Sequence, residues 1–144
     1  MHVSDILKSK GGEVVSVDPG KSLGAVARML AGHRIGAVVV LDDKGQMVGI
    51  VSERDIVTRI AADGARALET AVSDTMSREV VTCAASDTIA EVMGVMTHRR
   101  IRHLPVVAGG GVTGIISIGD VVKHRIEETE MEARVLRDYV RAGH

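Results

Sequence analysis

The sequence predicts an α+β fold made of two β-α-β-β-α repeats followed by a C-terminal helix, and three observations support this prediction. Val14-Val15-Ser16 returns as Val80-Val81-Thr82, and residues 49–55 (GIVSERD) return as residues 114–120 (GIISIGD). Within each copy, short β-branched runs alternate with apolar residues at helical spacing. The 144 residues amount to one domain, so the two repeats must bury their apolar faces on each other.

In the first repeat, residues 14–17 form the predicted first strand, and the helix that follows is expected to end at Gly32. The next strand, residues 37–41, is continuously apolar and is expected to be buried on both faces. A Gly-containing turn leads to its partner strand, residues 47–51, and a second helix covers residues 55–62. The apolar positions of the first helix are Leu23, Val26, Ala27 and Leu30.

The second repeat has the same predicted plan. Thr88 and Glu91 form a capping box at the start of its first helix. Residues 104–107 and 112–117 form its strand pair, and Pro105 predicts an end or edge position because proline has no N–H to donate to a sheet.

The chain ends in a predicted helix over residues 121–141, which contain no Pro or Gly. Two interpretations of this helix stay open: a solvated helix packed on its own domain, or a helix at a dimer interface. The division of the chain that follows is residues 1–66 and 67–126 for the two repeats and 127–144 for a helical extension.

Composition excludes several classes of function. The formal net charge is −1 and the pI is about 6.6, which argues against partners such as nucleic-acid polymers or membrane surfaces. No apolar run approaches the roughly 20 residues that a membrane span needs. Cys83 is the single cysteine and lies in an apolar strand predicted over residues 80–83, so we expect a packed thiol. With no signal peptide visible at the N-terminus, a cytoplasmic location is expected.

Two copies of a Gly-apolar-apolar-Ser-x-x-Asp motif at a strand–helix junction, together with Leu-Pro-Val-Val at residues 104–107, resemble a pair of CBS domains, named after cystathionine β-synthase. The resemblance covers residues 3–126 and is greatest to the small stand-alone bacterial proteins. It implies pseudo-twofold symmetry and binding of an adenosine nucleotide between the repeats: AMP, ADP, ATP or NAD(H), with S-adenosylmethionine less favoured. It also implies a homodimer, with residues 55–62 and 121–141 as candidate contact surfaces. The downstream protein target is not revealed.

The resemblance implies a first site around Asp55. This carboxylate would accept hydrogen bonds from both ribose hydroxyls, and the Ser52 hydroxyl would face the phosphate. Adenine is implied to lie against residues 35–37, while the side chains of Arg102 and His103 reach the phosphate from the other repeat. The full set, in which Arg54 assists at the phosphate, is Ile35, Gly36, Ala37, Ser52, Arg54, Asp55, Arg102 and His103.

The second implied site surrounds Asp120 and is expected to be weaker or to bind a different nucleotide. Cations collect around Asp55, whereas Asp120 is expected to face the small and neutral Gly36 and Ala37. The residues implied for this second site are Ile101, Arg102, His103, Leu104, Pro105, Ser117, Gly119 and Asp120.

The sequence favours a regulatory module and shows no catalytic machinery. It has no nucleophile–base arrangement, no P-loop and no dinucleotide fingerprint, so we expect neither catalytic residues nor a catalytic cofactor. No metal site is expected, because four of the histidines lie in different elements without ligand-like spacing: His33, His98, His103 and His124. The alternative function is a structural or protein-interaction pair without ligand, since Ser and Asp at a helix start also cap the helix.

Overall fold

The computed structural model describes residues 1–143, so His144, the last residue of the predicted C-terminal extension, lies outside the described residues. Its elements, in chain order, are α1 (Val3–Lys10), β1 (Ser16–Val17), α2 (Leu23–His33), β2 (Ala37–Leu41), β3 (Met47–Ser52), α3 (Glu53–Asp63), α4 (Ile89–Arg99), β4 (His103–Ala108), β5 (Gly111–Ser117) and α5 (Ile118–Arg141). Two short 3-10 helices, Gly64–Glu69 and Val72–Asp74, join the repeats. The predicted α+β fold is confirmed.

Each repeat contributes a small sheet. In the first, β2 lies between β1, to which it is parallel, and β3, to which it is antiparallel, and its first four residues are buried. In the second, β4 and β5 form an antiparallel pair. Both antiparallel pairs shift register at an equivalent place, between Val40 and Leu41 and between Val106 and Val107.

The predicted strand at residues 80–83 does not form, and Pro105 explains why. Only a bridge to β4 remains, in which Cys83 N donates to Pro105 O at 3.0 Å and Val107 N donates to Cys83 O at 2.9 Å. The next rung of a parallel ladder would need the N–H of Pro105, which proline lacks. The expected edge position of Pro105 is therefore confirmed, and the strand predicted at residues 14–17 also shortens to Ser16–Val17.

An arginine caps the C-terminus of α2 and of α4, the equivalent helices of the two repeats. The prediction that Gly32 ends α2 was wrong. The helix continues to His33, and Arg34 then adopts the left-handed region with φ 54°. Ile35 N donates back to Leu30 O at 3.1 Å, the hydrogen bond of a Schellman motif. The structure also begins α3 and α5 at Glu53 and Ile118, directly after their capping serines.

The segments that precede the two repeats, residues 3–10 and 72–79, are exchanged between them, and we call them the lead-ins. Val3 and Ile6 of α1 belong to the apolar core built on α4, β4 and β5. Val72 and Met76 belong to the core built on α2, β2 and β3. Each repeat therefore completes its core with a segment from before the other repeat.

Cys83 is a packed thiol, as expected. It is free and buried, and burial raises its pKa to about 11, with the charge of Asp87 acting in the same direction. A thiol with that pKa stays protonated at neutral pH and is a poor nucleophile. Among residues 1–143, no helix combines the length and the apolar character needed to cross a membrane.

Gly49 and Gly114 leave room for the exchanged segments. A Cβ on Gly49 would lie 2.5 Å from Met76 Sδ and 3.0 Å from the carbonyl oxygen of Ser77. A Cβ on Gly114 would lie 2.6 Å from Leu7 Cδ2. The two contacts are equivalent, because each places the side chain of one lead-in over a glycine in the other repeat's last strand.

Gly49→Ala is expected to lower the free energy of unfolding by about 1–3 kcal/mol, because the added methyl group meets both a side chain and a backbone carbonyl. Urea unfolding measures this change. The matched control is Gly94→Ala in α4, where an added Cβ meets nothing within 4 Å and should stabilise the helix by about 0.5–1 kcal/mol. Equal effects of the two substitutions would contradict the packing described above.

Candidate functional site

Two cavities lie where the repeats meet, one at each Ser-x-x-Asp junction. The Asp55 cavity has a volume of about 210 Å³ and the Asp120 cavity about 250 Å³. The Asp55 cavity is lined by Ile50, Ser52, Glu53, Arg54, Asp55, Ser77, Arg100, Ile101, Arg102 and His103. The Asp120 cavity is lined by Lys10, Glu13, Val15, Arg34, Ile35, Gly36, Ala37, His103, Ile115, Ser117 and Asp120.

Each junction is a capping box that fixes its aspartate at the edge of a cavity. Ser52 N donates to Asp55 Oδ2 at 2.8 Å, and Asp55 N donates to Ser52 Oγ at 3.3 Å. The equivalent distances for Ser117 and Asp120 are 2.9 Å and 3.2 Å. In both junctions the serine N–H binds carboxylate oxygen Oδ2, so the other carboxylate oxygen, Oδ1, takes no part in the capping box.

The structure brings Ile101 and residues 35–37 to the cavity opposite to the one implied for them, whereas Arg102 and His103 line the Asp55 cavity. Residues 101–103 line the Asp55 cavity, whereas residues 35–37 line the Asp120 cavity. The segment before β2, the middle strand of the first repeat, is hydrogen-bonded to the strand–helix junction of its own repeat, since Glu53 N donates to Gly36 O at 2.9 Å. That segment consequently faces the junction of the other repeat across the pseudo-twofold axis. The placement of Ile101 and of residues 35–37 therefore differs from the expected one, while the ligand contacts of all these residues stay a prediction.

Three residues expected at the Asp120 site line neither cavity. Leu104 is fully buried in the core of the second repeat, and Pro105 is buried beside it in β4. Gly119 is exposed on the first turn of α5 and does not line the cavity. Arg102 lines the Asp55 cavity rather than the Asp120 cavity, in agreement with the expected reach across the repeats.

His103 lies between the two cavities and lines both. Burial lowers its pKa, while the nearby charge of Glu53 acts in the opposite direction. A Cβ on Gly36 would lie only 2.7 Å from His103 Nε2, so a larger residue at position 36 would displace the His103 ring. This contact forms a shared wall between the cavities.

Gly36 and Ala37 line the Asp120 cavity, and the charged residues Lys10, Glu13 and Arg34 line it beside them. Lys10 Nζ lies 2.6 Å from Asp120 Oδ2. Burial of the Asp120 carboxyl tends to raise its pKa, but hydrogen bonds from Lys10 and from the Ser117 backbone outweigh this effect, and the pKa is lowered. The Asp55 cavity still has more cations, since Arg54, Arg100 and Arg102 all line it.

Arg34 and Arg100 occupy equivalent strained positions, and the sequence assigned neither of them to a site. Their φ angles are 54° and 55°, in the left-handed region that side chains other than Gly and Asn rarely adopt. Each lines one cavity. The sequence repeat could have revealed that the two arginines are equivalent, because His33-Arg34-Ile35 matches Arg99-Arg100-Ile101. Backbone strain kept at the same place in both repeats is typical of functional sites.

The described residues include no group of three or more His, Cys, Asp or Glu side chains that could hold a metal ion. The cationic and hydroxyl-bearing cavities are instead suited to an organic anion with hydrogen-bonding hydroxyl groups.

Comparisons with known proteins agree with this architecture. The family model described as CBS domain matches residues 3–62 and 72–127. The chain is 32% identical over 150 residues to the CBS domain-containing protein CBSX3, mitochondrial, of Arabidopsis thaliana, covering 99% of this chain and 73% of that protein.

Solved structures with the same fold include the CBS-domain containing protein ATU1752 from Agrobacterium tumefaciens, with a TM-score of 0.84 and 48% identity over 86% of this chain and 92% of that one. The CBS domain pair of protein MJ0100, in complex with 5′-methylthioadenosine and S-adenosyl-L-methionine, has a TM-score of 0.76 and 25% identity, covering 85% of this chain and 98% of that one.

Arg100→Gly is expected to raise the free energy of unfolding by up to about 1 kcal/mol. Glycine removes a left-handed penalty of about 1–2 kcal/mol and adds back an entropic cost of about 0.5–1 kcal/mol. Urea unfolding measures the difference. The control, Arg99→Gly, changes the last residue of α4 and should destabilise by up to about 1 kcal/mol. Similar losses in both variants would show that Arg100 is not strained.

Proposed function

The chain belongs to the CBS-domain family, and we propose that it is a sensor that binds an adenosine nucleotide between its two repeats. CBS-domain pairs are regulatory modules that bind ligands. The observation that carries the proposal is the Asp55 cavity, in which a Ser-x-x-Asp junction faces a cluster of arginines supplied largely by the other repeat.

The contacts proposed in the Asp55 cavity follow from the chemistry of its walls. Asp55 accepts hydrogen bonds from the ribose hydroxyls, a charge-assisted contact. Arg100 and Arg102 bind the phosphate. Ile50 and Ile101 line the same cavity and supply apolar surface for the base, in a chain that contains no Phe or Trp.

The proposed ligand is AMP, ADP or ATP. Three lining arginines favour phosphate over the cationic sulfonium of S-adenosylmethionine, although the MJ0100 complex supports recognition of an adenosine group in this family. A cavity of about 210 Å³ is smaller than the roughly 300–1,000 Å³ of common ligand pockets. This small volume favours a mononucleotide over NAD(H), although the family resemblance implied both classes of ligand.

We further propose that the protein acts as a homodimer that transmits ligand occupancy through its shape or its oligomeric state. Val57 on α3 and Val122 on α5 occupy equivalent positions and are 65% and 41% exposed. Beyond them, the outer half of α5 exposes Met131, Val135, Leu136 and Val140. Apolar surface of this extent on a small chain is typical of an interface.

A cytoplasmic location belongs to the same proposal. The buried, free thiol of Cys83 suits a reducing compartment. The name of the Arabidopsis relative assigns that protein to mitochondria, so imaging of the tagged protein in its own cells is the direct test of location.

Asp55→Asn is expected to weaken AMP binding about 10- to 100-fold, because it removes a charge-assisted acceptor worth about 1.5–3 kcal/mol. Calorimetric titration with AMP, ADP, ATP, NADH and S-adenosylmethionine measures the affinities. Asp43→Asn, an equal charge change at an exposed turn residue, should leave them unchanged. If none of these ligands binds the wild-type protein, the ligand-free interaction module becomes the better proposal.

Val57→Glu combined with Val122→Glu is expected to convert the dimer to monomers, because each change places a charge in the proposed apolar interface. Light scattering coupled to gel filtration measures the mass. Gln46→Glu in the turn between β2 and β3 is the matched control and should stay dimeric. Leu136→Glu tests the outer half of α5 separately. A monomeric wild-type protein would overturn the proposal.

A further inference from the structure

The two cavities differ in how a strand carbonyl at their edge is hydrogen-bonded. In the first repeat, the backbone of Ser77 pairs with Ile50: Ser77 N donates to Ile50 O at 2.9 Å, and Ile50 N donates to Ser77 O at 3.0 Å. In the second repeat, the equivalent carbonyl, that of Ile115, accepts a hydrogen bond from Lys10 Nζ at 2.8 Å. The lead-in of the first repeat is helical up to Lys10. The Lys10 side chain, and not a backbone N–H of the lead-in, therefore donates the hydrogen bond to this strand.

The same ammonium group also holds the aspartate of the junction. Lys10 Nζ donates to Asp120 Oδ2 at 2.6 Å, the oxygen that also accepts from Ser117 N. The Lys10 side chain is 36% exposed and that of Asp120 26% exposed, so the pair is partly shielded from water. Its hydrogen bonds help to lower the pKa of Asp120, which keeps the carboxylate charged and paired at neutral pH.

Among residues 1–143, no ion pair forms on the Asp55 carboxylate. Within the described chain, its side-chain hydrogen bonds are to Ser52. When the two lead-ins are aligned from Val3 and Val72, Glu79 takes the place of Lys10, and Glu79 is exposed. The difference therefore comes from one residue of the exchanged lead-in and not from the Ser-x-x-Asp motif, which both repeats keep.

We propose that Lys10 is a specificity-determining residue that closes the Asp120 cavity to the ribose of a nucleoside. This inference rests on the proposed function, because it concerns which of the two cavities accepts the adenosine ligand. Lys10 binds Oδ2 and neutralises the carboxylate, which leaves Oδ1 as a weaker acceptor for a ribose, so strong nucleoside binding requires the ion pair to break. The wild-type protein then has a single high-affinity nucleotide site, at Asp55.

The test isolates the Asp120 cavity in an Asp55→Asn background and uses adenosine, which has no phosphate for Lys10 to bind. Addition of Lys10→Met should tighten the binding of adenosine about tenfold or more, the effect of freeing a charged acceptor worth about 1.5 kcal/mol. Lys8→Met, on the same helix and exposed, is the control and should leave binding unchanged. Lys10→Arg keeps the ion pair and should also leave it unchanged. Asp120→Asn should abolish the gain from Lys10→Met.

Each outcome of the calorimetric titration decides the inference. Weaker or unchanged adenosine binding in the Lys10→Met variant, with AMP still bound at Asp55 in the wild type, overturns the inference alone and assigns Lys10 another role. Absence of adenosine and AMP binding in the wild type and in every variant overturns the proposed function and the inference with it. Thermal unfolding of each variant confirms that it is folded.

Discussion

The exchange of lead-in segments across the pseudo-twofold axis is the interaction on which the rest of the structure depends. Val3 and Ile6 complete the core of the second repeat, while Val72 and Met76 complete that of the first. Neither repeat can bury its apolar face with its own residues alone, which is why a chain with almost no aromatic side chains forms one stable unit. The exchange also brings each strand–helix junction against the other repeat, and so creates the two cavities. It further places Lys10, a residue of one lead-in, inside a cavity of the opposite repeat.

The Ser-x-x-Asp motif serves the fold as well as the site, which limits what it can prove. In both repeats it forms a capping box, and a capping box stabilises a helix without any ligand. Preservation of the motif therefore fits both the sensor and the interaction module. The left-handed arginines are stronger support for binding, because Arg34 and Arg100 destabilise the fold where Gly or Asn would not. A strained residue that lines a cavity in both repeats is easier to explain by a ligand than by packing.

The sequence predicted what local patterns determine, and it failed where contacts between distant segments decide. The capping box at Thr88 and the buried strand β2 follow from neighbouring residues, and both formed. The strand at residues 80–83 failed because its partner is Pro105, which lies far along the chain. Repetition showed which residues are equivalent but not where the axis lies, so the segments before the middle strands were assigned to the wrong cavities. The contact between Lys10 and Asp120, which are 110 positions apart, leaves no local signal.

Under the proposed function, the position of Asp55 explains how a cavity in the centre of the molecule could influence its surface. Asp55 is the third residue of α3, and the exposed Val57 follows two residues later in the same turns of helix. Asp120 and Val122 have the same relation on α5. A helix is rigid over so short a distance, so a ligand that shifts its first turn also shifts the apolar side chains of the proposed interface. The ligand can change the oligomeric state only by the difference in its affinity for the two arrangements. Closing one cavity by Lys10 would restrict that influence to α3 and make the response of the dimer depend on a single site in each chain.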